Sequence, residues 1–304
     1  MERSEVNMKI QTQILIWKII FIPLVIVFSS CCMKFTQETP ISGKIFFERI
    51  KSNWVEICCI NIDKSQLQII IKLPLSSIGD CFISQDAMKI LFTLIGEKNT
   101  EANIYMLDVE NKKQIKLTEH YANISPAFSP DNKKIVFSSD QDRNDYEIYL
   151  MDIGSKNIVK LTNNNSNDWE PSWSPNGKKI VFSSDRTGNP EIYSMNIDGT
   201  YQTRLTRGDV RNTTPAWSPD GKKIAFIHRY MLTIMDTTGK NLVQLTDENL
   251  GVSQPTWSPD GKQIAFTGFK VDEQPDIYVI DIKTKKIINL TNTPNISETT
   301  PCWR

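Results

Sequence analysis

The chain has 304 residues, 39% of them hydrophobic and 23% charged, a composition that leaves room for one large core and excludes a disordered chain or a coiled coil. Lys+Arg and Asp+Glu each number 35. No basic surplus exists to neutralise a phosphate backbone, so nucleic acid is excluded as a partner class.

In chain order, the first predicted element is a targeting segment. Lys9 and Lys18 precede an apolar run at 19–28 that only Pro23 interrupts, and Ser29, Ser30 and Cys31 follow. A run of that length falls short of the about 20 residues of a spanning helix and matches the roughly 7–15 of a secretory apolar core. Phe28-Ser29-Ser30-Cys31 resembles the bacterial lipobox, although Phe28 is an uncommon first residue for it. The resemblance implies a signal peptide over 1–30, lipid on Cys31 and a linker over 31–40, with Met8 the more natural start. Cleavage without lipidation and an uncleaved short anchor are the alternatives. Beyond Cys31 and Cys32 lie Cys58, Cys59, Cys81 and Cys302. No C-x-x-C pair occurs, and adjacent Cys58 and Cys59 point to opposite faces of a strand, so structural zinc is disfavoured. Buried thiols are expected, with a Cys81–Cys302 disulfide as the alternative in an oxidising compartment.

From residue 41 the chain repeats itself. FSPDNKKIVF from Phe128 returns as WSPNGKKIVF from Trp173, WSPDGKKIAF from Trp217 and WSPDGKQIAF from Trp257, with a weaker ISQDAMKILF from Ile83. The successive offsets are 45, 45, 44 and 40 residues. Behind each copy comes a second block: NIYMLD from Asn103, EIYLMD from Glu147, EIYSMN from Glu191, LTIMD from Leu232 and DIYVID from Asp276. A third closes the unit, as in Lys116-Leu117-Thr118, Lys160-Leu161-Thr162, Arg204-Leu205-Thr206, Gln244-Leu245-Thr246 and Asn289-Leu290-Thr291.

Ser-Pro-Asp-Gly places a good starter, Pro and Gly at the positions a type I turn requires, so it marks a hairpin tip. Lys-Ile-Val-Phe and Ile-Tyr-Leu-Met are short β-branched and aromatic runs, apolar on both faces as in strands covered on two sides. Each unit of about 44 residues therefore holds four short antiparallel strands, the size of a propeller blade. Before the first full copy, Gly43-Lys44-Ile45-Phe46-Phe47 and Glu56-Ile57-Cys58 match a blade without its first strand, and Thr300-Pro301-Cys302-Trp303 supplies that strand at the other end. The expectation is an all-β, six-bladed β-propeller of four-stranded antiparallel blades over 41–304, closed by strand exchange between the chain ends.

The P-x-W-S-P-D-G-K-x-I-x-F block with its E-I-Y-x-M-D partner resembles the repeat of TolB-type propellers. It is also similar to repeats in the propellers of prolyl-oligopeptidase-like peptidases and some pectin-fragment lyases, so it specifies fold more than function. The resemblance implies a propeller of the cell envelope that contacts other proteins. TolB carries an α/β domain ahead of its propeller, whereas about ten residues separate Cys31 from the first blade strand here.

Two histidines, His120 and His228, are present, too few for the His-rich metal site of the related lyases. No Gly-x-Ser-x-Gly elbow marks a hydrolase. No catalytic residue, metal or cofactor is therefore assigned. Trp173, Trp217, Trp257 and Trp303 recur beside the hairpin turns and are expected to fill the gaps between blades, and Lys178 and Lys179 to form a solvated rim. Residues that break the repeat are better site candidates, because the scaffold does not demand them. Trp169 and Glu170 in the connection at 163–170, and Arg211 in the next, are the candidate ligand or partner residues, at a mouth of the central channel. The leading functional expectation is a non-catalytic interaction module, monomeric and lipid-anchored on the periplasmic side of the outer membrane or at the cell surface. A receptor for a small glycan or peptide in the channel comes second, and a carbohydrate-active enzyme third.

Overall fold

The computed structural model describes residues 43–304 apart from 75–80, 97–100 and 143–144. The signal peptide, Cys31 and the linker expected over 1–40 lie outside the described residues. The hairpin tips form as the sequence predicts. Gly221 N donates to Ser218 O at 2.9 Å, Lys222 N donates to Asp220 Oδ1 at 3.0 Å, and Lys223 N donates to Ser218 Oγ at 2.9 Å. The same turn recurs at Ser174 and Ser258, and Ala87 and Asn132 take the left-handed position held elsewhere by glycine. Hydrogen bonds from Ser218 and Lys222 hold the Asp220 carboxyl below its ordinary range.

Each tip joins two strands of one sheet, and the described strands form six four-stranded antiparallel sheets. Blade 1 is ordered Ser297–Trp303, Lys44–Ile50, Trp54–Asn61, Gln68–Pro74. Blade 2 runs from Phe82–Ile83 to Gln114–Lys116, blade 3 from Asn123–Phe128 to Ile158–Lys160, and blade 4 from Asp168–Trp173 to Thr203–Arg204. Blade 5 runs from Asn212–Trp217 to Val243–Gln244, and blade 6 from Gly251–Trp257 to Ile287–Asn289. The first strands of neighbouring blades touch one another, which makes them the innermost. In blade 1 that strand comes from the end of the chain, with Ile45 opposite Trp303 and Ile50 opposite Ser297. Gly43 N also donates to Arg304 O at 2.5 Å.

The core is divided among the seams between blades. Six clusters of buried side chains each draw on two consecutive blades, and the one shared by blades 6 and 1 (Ala265, Ile277, Ile45, Phe47 and Trp303) completes the circle. Trp173 and Trp257 lie in such seams, and their indole N–H groups donate to the preceding blade at Ala127 O (3.1 Å) and Ala216 O (3.0 Å). Trp217 is only partly buried in its seam. Cys58 faces blade 6 and Cys59 faces blade 2, the opposition expected of strand neighbours. No disulfide joins Cys81 to Cys302, which corrects that alternative: both are buried as thiols among Phe46, Ile57 and Ile83. Burial pushes the Cys58 thiol up to about 12.

Candidate functional site

The Ser-Pro-Asp-Gly turns and their variants mark one end of blades 2 to 6. In blade 4, Trp173 pairs with Ile180 at that end and Asp168 with Ser184 at the other. The inter-blade connections and the turns between second and third strands therefore share the opposite face. On this face the repeat's remaining signatures acquire a physical reason. Thr162, Thr206 and Thr291 each accept a hydrogen bond from the N–H of Ile148, Ile192 or Ile277 through Oγ1. The same hydroxyls donate to Glu147, Glu191 and Asp276, the acids that open the second block. The Thr just past each fourth strand thus satisfies a buried carboxylate and a backbone amide at the start of the third strand.

These acids are further tied to the next blade. Asn212 Nδ2 donates to Glu191 Oε2 at 2.9 Å, and Asn164 Nδ2 donates to both Glu147 (3.2 Å) and Asp168 (2.8 Å). Burial, together with the charge of Asp168, raises the Glu147 carboxyl above its ordinary range. Arginines complete the network: Arg186 pairs with Asp168 at 2.8 Å, Arg204 with Glu191 at 2.7 Å, and Arg49 with Glu298 at 2.6 Å.

Blade 5 departs from this pattern. Met231 stands where its neighbours have Glu191 and Asp276, and Val252 of blade 6 stands where blades 4 and 1 have Asp168 and Glu298. Its turn between second and third strands consists of Arg229 and Tyr230 alone, both left-handed with φ of 51° and 72°, a geometry suited to a tight hairpin. The corresponding turns of blades 4 and 6 occupy 185–190 and 270–275. The wall is therefore low at blade 5. His228 ends the strand below it, and its Nδ1 lies 2.8 Å from Asn212 Oδ1. Desolvation, helped by the charge of Arg229, depresses the His228 pKa despite the opposing influence of Glu191.

Two of the three predicted site residues fall on the innermost strand of blade 4 and the third just ahead of the innermost strand of blade 5. Trp169 is half-buried in the strand Asp168–Trp173, and Arg211 is exposed immediately before Asn212–Trp217. Glu170 is half-buried, and its Oε2 accepts from Ser183 Oγ (2.8 Å) and from Thr214 N of blade 5 (2.7 Å), so it fastens blade 4 to blade 5. It also shares a backbone feature with four other blades. Ser125, Glu170, Thr214, Gln254 and Thr300 all precede proline, all have φ between 50° and 55°, and each sits where the innermost strand bulges from its partner. His120 is exposed, in the connection between blades 2 and 3. Among the described residues no group of three or more His, Cys, Asp or Glu is placed to hold a metal ion. The sequence reading passed over Arg229 and the buried Thr–carboxylate pairs. The signal for the first was the 40-residue offset between Trp217 and Trp257.

A family model for the TolB β-propeller domain matches residues 45–230. No curated protein matches the sequence. Among solved structures, TolB from Acinetobacter baumannii is 24% identical with a TM-score of 0.74, and the match covers 87% of this chain and 67% of that one. A TolB-type protein from Agrobacterium tumefaciens is 23% identical with a TM-score of 0.69, over 82% of this chain and 89% of that one. An oligogalacturonate lyase in complex with manganese is 15% identical with a TM-score of 0.55, over 83% and 75% respectively. Identities at this level speak to the fold alone.

Proposed function

Since this chain belongs to the TolB β-propeller domain family, we propose that it is a non-catalytic protein–protein interaction module, exported and held at the cell envelope by lipid on Cys31. The observation that carries this reading is the position of Trp169 and Arg211. The seams, turns and carboxylate network account for most of the repeat, yet Trp169 stands half-buried on the innermost strand of blade 4 and Arg211 exposed just ahead of that of blade 5, at the loop-bearing face. Trp and Arg are the side chains that most often anchor protein interfaces. Glu170 supports the same site by holding the two strands together.

The reading is tested in the native envelope by a photo-crosslinking residue placed at Arg211 and, as control, at Lys178 on the opposite face. Discrete adducts with envelope proteins from position 211, absent from position 178 and weakened by Trp169→Ala, are expected. No adduct, or the same adducts from both faces, would count against it. Lipid on Cys31 is checked in the same cells by incorporation of labelled palmitate, which Cys31→Ser should abolish.

A further inference from the structure

We infer that the lysine-bearing face of the ring, made by the hairpin tips and the turns between third and fourth strands, lies against an anionic membrane surface and contacts its headgroup phosphates. This rests on the lipid anchor at Cys31 proposed above and adds the surface that the bilayer meets.

Equal numbers of cations and anions in the whole chain hide an uneven distribution. Between strands, the tips and the third-to-fourth-strand turns expose twelve lysines and seven acids, and Lys179 and Lys223, which open the strands leaving two tips, are exposed as well. The half-buried charges at the strand ends, Lys89 and Lys134 against Asp108, Asp152, Asp236 and Asp281, reduce the surplus from seven to five. Among the described residues the inter-blade connections and the turns of the opposite face expose eight acids and four cations. The repeat explains the asymmetry. In the tips the acid turns back on its own hairpin: Asp220 accepts from Ser218 Oγ (2.7 Å) and Lys222 N (3.0 Å), and Asp131 and Asp260 do the same in theirs. Lys133, Lys222 and Lys262 contribute a backbone N–H to these turns and leave their side chains exposed.

Two further observations select a membrane as the occupant. The polypeptide enters the ring on this face, where Lys44 lies opposite Asn61 at the start of a turn, and Cys31 precedes Gly43 by twelve residues. Such a tether spans about 40 Å at most, so an anchored ring stays close to the bilayer with its lysines, and not its acidic face, nearest the attachment. Tyr201, 82% exposed, and Leu242, 53% exposed, project from two of the same turns. An amphipathic tyrosine and an aliphatic side chain among lysines suit the headgroup layer. Each lysine adds a small attraction to an anionic leaflet that fades within a Debye length. In this pose Trp169 and Arg211 look away from the bilayer, open to a partner.

The lipidated chain, in a Cys32→Ser background, is reconstituted into vesicles of phosphatidylglycerol and phosphatidylcholine that carry nitroxide headgroups. A fluorophore sits at Asn157→Cys on the lysine-bearing face or at Asn189→Cys on the opposite one, both exposed positions. Quenching at 157 is expected to exceed that at 189 by about threefold or more at low salt. Salt at about 0.5 M, or phosphatidylcholine alone, should remove about half of that excess or more while the lipid keeps the chain on the vesicles. Lys178→Gln, Lys179→Gln, Lys222→Gln and Lys223→Gln together should remove a similar share, whereas Arg207→Gln with Lys270→Gln on the opposite face should leave the excess within about a quarter of its value. Equal quenching at the two positions, equal losses in the two variants, or an excess that ignores salt and lipid charge and so reflects the tether alone would each overturn the inference. If Cys31 takes no palmitate, the anchor is rejected, and the surface is judged by sedimentation of the unlipidated chain at low salt. Capture by phosphatidylglycerol and not by phosphatidylcholine vesicles upholds it, and equal capture by both, or none, overturns it.

Discussion

Thr206 carries two hydrogen bonds at once, accepting from Ile192 N and donating to the fully buried Glu191. Thr206→Val preserves shape but leaves an amide and a carboxylate oxygen without that partner, so a loss of about 1–3 kcal/mol is expected in urea denaturation. Thr246 occupies the same place in blade 5, where it accepts from Leu232 N and Met231 replaces the acid. Thr246→Val should therefore cost clearly less, and equal costs would refute the carboxylate's part in the effect. His228 makes a pH prediction. Its folded pKa lies below the ordinary 6.5, so the unfolded chain binds the proton more readily. The stability it contributes is present above about pH 6.5 and is lost as pH falls from there through the lower folded pKa. Melting temperatures between pH 7.5 and 5 should drop less in His228→Gln than in the parent, and parallel curves would contradict this. Glu170 shows where reading single residues stops. It was legible as a departure from the repeat, but its hydrogen bond comes from Thr214, 44 positions away, and no local pattern announces a partner at that distance.

The short turns between third and fourth strands are where one blade rests on another. Gly239 has φ of +80°, and a Cβ there would run into the carbonyl of Leu205 in blade 4. Gly188, with φ of +100°, has nothing within 4 Å of the same position. Gly188→Ala should cost only the backbone strain of about 1–2 kcal/mol, whereas Gly239→Ala adds a clash with main chain and should cost more. Chemical denaturation of the two variants decides the point, and equal losses would mean that the turn does not press on its neighbour. Strands and hairpin tips were readable because Ile-Val-Phe and Ser-Pro-Asp-Gly are local signals. The bulges on the innermost strands were not. A residue before proline ordinarily favours extended backbone, and the positive φ at Glu170 or Thr214 is imposed by the fit of strand and neighbouring blade.

At the scale of the whole ring, six seams of similar construction share the core, so none is dispensable. Removing residues 297–304 strips blade 1 of its innermost strand and takes Trp303 and Cys302 from two seams. The shortened chain should lose its single sharp unfolding transition in calorimetry, and a transition as sharp and as hot as the parent's would show that the ring does not need its clasp. The number of blades was legible because a repeat of about 44 residues goes six times into the stretch 41–304 once the two chain ends are joined into one blade. The low wall at blade 5 was present in the same arithmetic as a shortened offset, but a missing stretch of turn becomes a notch only beside taller neighbours. The hydrogen bond from Gly43 to Arg304 means that, for the folded ring, where the polypeptide starts is a matter of convention. Splicing these two residues through a short linker and opening the chain between Thr187 and Gly188 should yield a circular permutant with the same blades, the same seams and a new first residue.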